Sequence, residues 1–228
     1  MRLRRSVAAL VACAALAEAW AVELPVSGLY GEIRNAHYTA PEGRFRLPVP
    51  VLAELGGKVH DTEAVATFTD DVSTHVSVAC FPLDLTHRWE LETRGLKDYL
   101  TWFYGEHVFR NFAARFPGAA NETSLFSPDL RGGALLVFTL LPGGSSFAAR
   151  ANVVEGPGSP QPVAKRGTVV FVENGCVLVV STELAERVTQ RSTFQKTAAE
   201  ENDLLRQRLV QLLTRLQVPA PRPPARRP

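Results

Sequence analysis

The densest grouping of metal-capable side chains in the chain is His60-Asp61 with Asp70, Asp71 and His75. If residues 59–61 and 69–75 flank one end of a hairpin, the five could converge. Oxygen donors would suit a hard cation, and added imidazoles would favour a transition metal such as Zn. The competing reading makes Asp70 and Asp71 turn formers, because Asp side chains bond their own backbone nearby, and leaves the histidines on the surface. Gly143-Gly144-Ser145-Ser146 is the nearest approach to a nucleophile elbow. It lies between two strand-like runs and lacks the second glycine, so it reads as a hairpin turn. There is no His-Glu-x-x-His, Cys-x-x-Cys or phosphate loop. His107 follows Phe103 by four residues and reads as a structural histidine bordering an apolar helix face. Trp102 falls off that face and is a candidate for a partner surface. Cys80 and Cys176 sit in apolar strand patterns. They are either small buried hydrophobes or a disulfide, and the sequence does not supply the Cα separation that decides. No complete catalytic set is present and no cofactor is expected; the competing class is a hydrolase whose site is assembled from distant residues.

The elements that must position these residues are legible in the apolar periodicity. Residues 22–36 form a polar leader arm. Tyr38–Pro50 reads as a strand, with Phe45 and Leu47 alternating. Val65–Thr69 and Val72–Phe81 read as a hairpin turning at Asp70-Asp71, with Val76, Val78 and Cys80 on one face. Leu96, Leu100, Phe103, Phe109, Phe112 and Phe116 predict a helix over 95–116, ended by Pro117-Gly118. Ala134–Leu141 and Phe147–Val154 read as strands, and 155–162 as a Gly/Pro loop. Gly167–Thr182 reads as a second hairpin turning at Asn174-Gly175. Leu135–Phe138 and Val177–Val180 are apolar at every position, which argues for a sheet covered on both faces. A last helix is expected from Ser192 or Thr193, burying Phe194, Ala198, Leu205, Leu209, Leu212 and Leu216, with Glu200, Glu201 and Asp203 solvated. Pro219 ends it.

The two ends read as address and tail. Arg2, Arg4 and Arg5 precede an Ala-rich apolar run from Ser6 to Leu16, the pattern of a signal peptide over 1–21. The run is too short to span a bilayer, and Glu18 follows it. Two processing routes stand open: cleavage after Ala21, with Ala15-Leu16-Ala17 as the weaker alternative site, or lipoprotein processing at Leu10-Val11-Ala12-Cys13, which would acylate Cys13 and tether the chain to a membrane. Residues 219–228 contain five prolines and three arginines and are expected to be extended, with weak attraction to anionic surfaces. Residues 22–218 carry 19 basic and 22 acidic side chains, a net charge of −3. That balance gives no basic footprint for nucleic acid.

The order of these pieces resembles the PsbP-like superfamily, which includes PsbP and DcrB-like envelope proteins. Tyr38-x-x-Pro41-x-x-x-Phe45-x-x-Pro48 resembles that group's first strand. Phe68-x-Asp70 with Val76-x-Val78 and Pro82 resembles its next hairpin. Leu96-Lys97-Asp98-Tyr99-Leu100 resembles the start of its first helix, and Gly175–Thr182 with the long helix after it resembles its close. The Gly-Trp often found after the first strand is missing. The resemblance covers residues 37–218. It implies an α+β domain, an antiparallel sheet sandwiched between helices, with an accessory, assembly or binding role; with the leader read as an export signal, the expected partner is another envelope protein. It carries over no catalytic residues.

Overall fold

Seven strands built from the apolar runs form one antiparallel sheet. The computed structural model describes residues 28–150, 161–190 and 192–220. The leader with Cys13, most of the 155–162 loop and the tail beyond 220 lie outside the described residues. The strands are β4 (Lys58–Asp61), β5 (Val65–Thr69), β6 (His75–Pro82), β7 (Ala120–Ser127), β8 (Ala134–Pro142), β9 (Val163–Glu173) and β10 (Cys176–Glu183), in spatial order 4-5-6-10-9-8-7. The β9–β10 turn is the expected two-residue Asn-Gly turn. Asn174 and Gly175 both take positive φ, and Glu173 faces Cys176. That geometry matches the twist of the strands it joins.

Helices cover both faces of the sheet, giving the expected α/β/α layering. On one face lie α1 (Leu85–Arg94), α2 (Leu96–Phe103), a π turn (Tyr104–Phe109) and α3 (Arg110–Arg115). There Tyr99, Leu100 and Phe103 pack on Leu135, Val170 and Val179. The single helix expected over 95–116 therefore has a further helix before it and a wide turn inside it. On the other face α5 (Ala198–Arg215), following the short α4 (Glu186–Thr189), packs Leu209 and Leu213 on Leu136, Val169 and Leu178. The alternate residues of β8 and β10 thus serve two cores, which explains their uninterrupted apolar runs.

Four expectations change. Tyr38–Pro50 is a hairpin rather than one strand: β2 (His37–Thr39) and β3 (Arg46–Pro48) join across Pro41-Glu42-Gly43, where Glu42 and Gly43 take positive φ. With β1 (Glu32–Arg34) they form a small second sheet, so the end of the leader arm is structured. The strand expected over Phe147–Val154 does not form in its described part, since residues 148–150 are helical. Strand β8 pairs instead with β9, whose eleven residues match it from Ala134↔Phe171 to Pro142↔Val163. The last helix starts at Ala198. Thr197 and Glu200 make a reciprocal capping box there, satisfying two otherwise orphaned donors.

Gly167 sets how closely α5 lies on β9. A Cβ there would meet Leu209 Cδ1 at 3.0 Å and Leu205 Cβ at 3.1 Å. Gly167→Ala is expected to destabilise the fold by about 1–3 kcal/mol through overpacking. Thermal denaturation checks it; an unchanged midpoint would mean the helix lifts freely.

Candidate functional site

The five metal candidates are not brought together. In the β4–β5 ladder Asp61 faces Ala66 and Lys58 faces Thr69, so His60 and Asp61 lie at the opposite end from Asp70. Asp61 accepts from the backbone N–H of Tyr30 (3.0 Å) and Gly31 (2.7 Å) and from the Tyr38 hydroxyl (2.7 Å). It ties the N-terminal segment to the large sheet. Burial, then Asp61, holds the Tyr38 phenol far above its usual range, so it stays a donor. Asp70 Oδ1 accepts from the N–H groups of Val72, Ser73 and Thr74 at 2.7–2.9 Å, the expected turn role. Asp71 is exposed beside Lys58 at 3.7 Å. Among the described residues no three His, Cys, Asp or Glu side chains converge on a cation site.

His75 has a different neighbourhood. It is 7% exposed, and its Nδ1 lies 2.8 Å from Ser146 Oγ. Glu183, fully buried, accepts from Ser145 Oγ at 2.5 Å and from the Ser146 N–H at 3.1 Å. Arg166 lies 3.6 Å from Glu183 and donates to Ser146 Oγ at 3.4 Å. A serine, a histidine and an acid have thus met, from residues 75, 146 and 183.

The arrangement does not make a nucleophile. In a hydrolase triad the serine bonds Nε2 while the acid orients the ring through Nδ1–H. Here the serine bonds Nδ1, and Nε2 is buried with no partner among the described residues. Glu183 bonds the two serines instead of the imidazole. Burial, then the Arg166 charge, pushes the His75 pKa down to about 3, leaving a ring too weakly basic to take a serine proton. What the network does is hold the Gly143–Ser146 turn against the ends of β6, β9 and β10.

A second buried network was missed in sequence. Lys165, fully buried, is bonded to Glu122, to Glu201 at 3.1 Å and to the Ala198 carbonyl at 3.2 Å. Glu201, expected to be solvated, is 3% exposed and also receives Arg187 at 2.5 and 2.6 Å. A lysine inside the apolar run 163–172 was the available signal.

Two surface features remain. The helix α1 buries none of its residues, and it exposes Leu85 (83%) and Trp89 (60%) one turn apart. Asp84 caps it, accepting from the His87 N–H at 2.8 Å. Trp102, the candidate partner residue, is half-buried, with its ring under the Arg94 guanidinium at 5.1 Å and against His87 at 5.9 Å. The exposed tryptophan on this side is Trp89. His107 packs its ring on Phe103 at 4.8 Å. The other feature is a cavity of about 870 Å³ where β2, β3, the β9–β10 turn and the segment after α5 meet. Arg44, Arg46, Arg88 and Cys176 line it.

The fold is an α+β sandwich built on a seven-stranded antiparallel sheet. Some solved structures are similar to this chain. The Ran-binding protein Mog1p of Saccharomyces cerevisiae matches 82% of this chain and 96% of its own, at 10% identity and a TM-score of 0.47. A point mutant of Mog1 matches 82% of this chain and 97% of its own, also at 10% and 0.47. Cyanobacterial PsbP (CyanoP) from Synechocystis matches 84% of this chain and 98% of its own, at 14% identity and a TM-score of 0.45. The likeness is one of fold alone. No family model and no curated protein sequence matches the chain.

Proposed function

We propose that this chain is an exported, non-enzymatic accessory protein that docks another envelope protein through the outer face of α1. The observation that carries the reading is the Leu85–Trp89 pair, two large apolar side chains held in water on a capped helix. Tryptophan is the side chain that most often anchors protein interfaces, because it buries a large rigid area for little entropy. The Ser146–His75 contact does not support the hydrolase alternative, for the reasons of tautomer and basicity given above. Export rests on the leader at 1–21. Acylation of Cys13, or the arginines at 222, 226 and 227, would add contact with a membrane surface.

The test is photocross-linking in the native host from a probe at the exposed Glu92, three residues beyond Trp89. One discrete adduct with an envelope protein is expected, with the recovered chain lacking its first 21 residues or beginning at acylated Cys13. Trp89→Ala should weaken partner binding roughly thirtyfold, as loss of an interface anchor worth about 2 kcal/mol does. An adduct indifferent to Trp89→Ala and Leu85→Asp would remove the docking face. An unprocessed Met1 would remove the export reading.

A further inference from the structure

The large cavity has one thiol in its wall, Cys176, and a second, Cys80, buried in the core beside it. Strands β6 and β10 pair with Cys80 facing Leu178 and Cys176 facing Pro82. The two cysteines are therefore diagonal neighbours on one face of the sheet. Their side chains are near enough for Cys176 to raise the Cys80 pKa, and both thiols are free. Cys80 is 1% exposed inside the core, whereas Cys176 is half-buried and lines the cavity. The Arg44 guanidinium lines the cavity and is paired there with Glu42 at 2.7 Å, an acid that lines it too. Arg46 and Arg88, both exposed, leave the rim net positive. Arg88 spends its Nε–H on the Leu83 carbonyl at 3.0 Å and keeps its terminal amino groups for the cavity.

We propose that Cys176 and Cys80 form a thiol–disulfide exchange site for small anionic disulfides that enter through this arginine-lined cavity. Cys176 reacts first because it alone reaches the cavity. Its thiolate attacks one sulfur of the incoming disulfide. That S–S bond breaks, half of the reagent leaves as a thiolate, and the other half stays bonded to Cys176. The Cys80 sulfur then displaces the second half and closes the Cys80–Cys176 bond. Two protein thiols are oxidised and one external disulfide is reduced to two thiols. The two protons pass through solvent to the leaving thiolates. Burial, then the neighbouring Cys176, pushes the Cys80 thiol up to about 12, which suits a resolving thiol and not the first attacker. Diagonal partners stand roughly 7–8 Å apart at Cα, beyond the usual disulfide range, so closing the bridge draws the two strands together locally and the product is strained and readily reduced again.

The test uses the full chain carrying Cys13→Ser, so that only these two thiols report. The native protein is incubated with glutathione disulfide, quenched in acid, alkylated and weighed. Both thiols should become resistant to alkylation with no glutathione retained, and dithiothreitol should restore them. Cys80→Ser and Cys80→Ala should each trap one glutathione on Cys176; two variants guard against a folding defect in either. Cys176→Ser should leave Cys80 reduced. Arg46→Glu with Arg88→Glu should slow the reaction about tenfold or more at low salt, and less as salt screens the rim. The cationic disulfide cystamine should show the opposite preference. A stable glutathione adduct on the protein with Cys80 intact, a disulfide-linked dimer, or two thiols that remain alkylatable would each overturn the proposal.

Discussion

Glu201→Ala is expected to cost about 3–5 kcal/mol, the range for removing one partner of a buried ion pair. Glu201 sits in the first turn of α5, where the helix dipole already favours an acid. Its carboxylate serves two cations at once, the buried Lys165 ammonium and the Arg187 guanidinium. Alanine would leave Lys165 fully buried with only Glu122 and one carbonyl. For a domain of this size the loss corresponds to a fall of roughly 6–20 °C in thermal midpoint. Lys165→Met combined with Glu201→Leu should recover much of it, because the desolvation of both charges disappears together. Equal losses in the single and double variants would show that packing, not charge, sets the cost.

Acid should weaken the fold through His75, beginning well above the carboxylate range. Burial first, then the Arg166 charge, holds its folded pKa near 3, against about 6.5 unfolded. The unfolded chain therefore binds the proton more readily. The stability is fully present above pH 6.5 and drains away as pH falls toward 3. Between pH 7 and 5 the loss is about 2 kcal/mol, and it approaches about 4 kcal/mol near pH 3. Of the charges around the ring, Arg166 opposes protonation and Glu183 is already occupied by the two serines and Arg166. Asp70 adds to the lower end: burial raises it, but the N–H groups of Thr74, Ser73 and Val72 outweigh that and leave it below its usual range. His75→Asn keeps a polar atom near Ser146 and cannot titrate. Urea midpoints measured at pH 7 and 5 should fall for the native chain and stay level for His75→Asn. A native chain equally stable at both values would mean that His75 is not held neutral.

Local rules made much of the architecture readable. Asn174-Gly175 specified its turn because few residues accept the required φ, and Leu135–Phe138 announced two covered faces because no polar residue interrupts it. The helix α1 escaped notice because Leu85 and Trp89 face water, leaving no apolar stripe to detect; Asp84 and Gly95, its cap and stop, were its only marks. Glu201 looked like an ordinary solvated acid, since its partner Lys165 lies 36 residues away on a strand. The Ser146–His75 and Cys80–Cys176 contacts were illegible for a related reason. Each depends on which strands become neighbours across long stretches of chain, and no short-range pattern encodes that.

The strand order also governs how the chain can be assembled. Strands β4–β5–β6 form one meander and β7 to β10 another, and they meet only where β6 pairs with β10. Residues 75–82 must therefore wait for residues 176–183, a closure across about a hundred residues. Each doubling of such a loop adds only about 0.6 kcal/mol of entropy, so the delay is a matter of rate rather than of final stability. During that interval β6, with Val76, Val78 and Cys80 along it, is an apolar ribbon with an open hydrogen-bonding edge, the feature that pairs most readily with a stranger. A chain emerging slowly, N-terminus first, prolongs the exposure. The edge that lies at the centre of the finished sheet is the one most in need of shielding while the protein is being made.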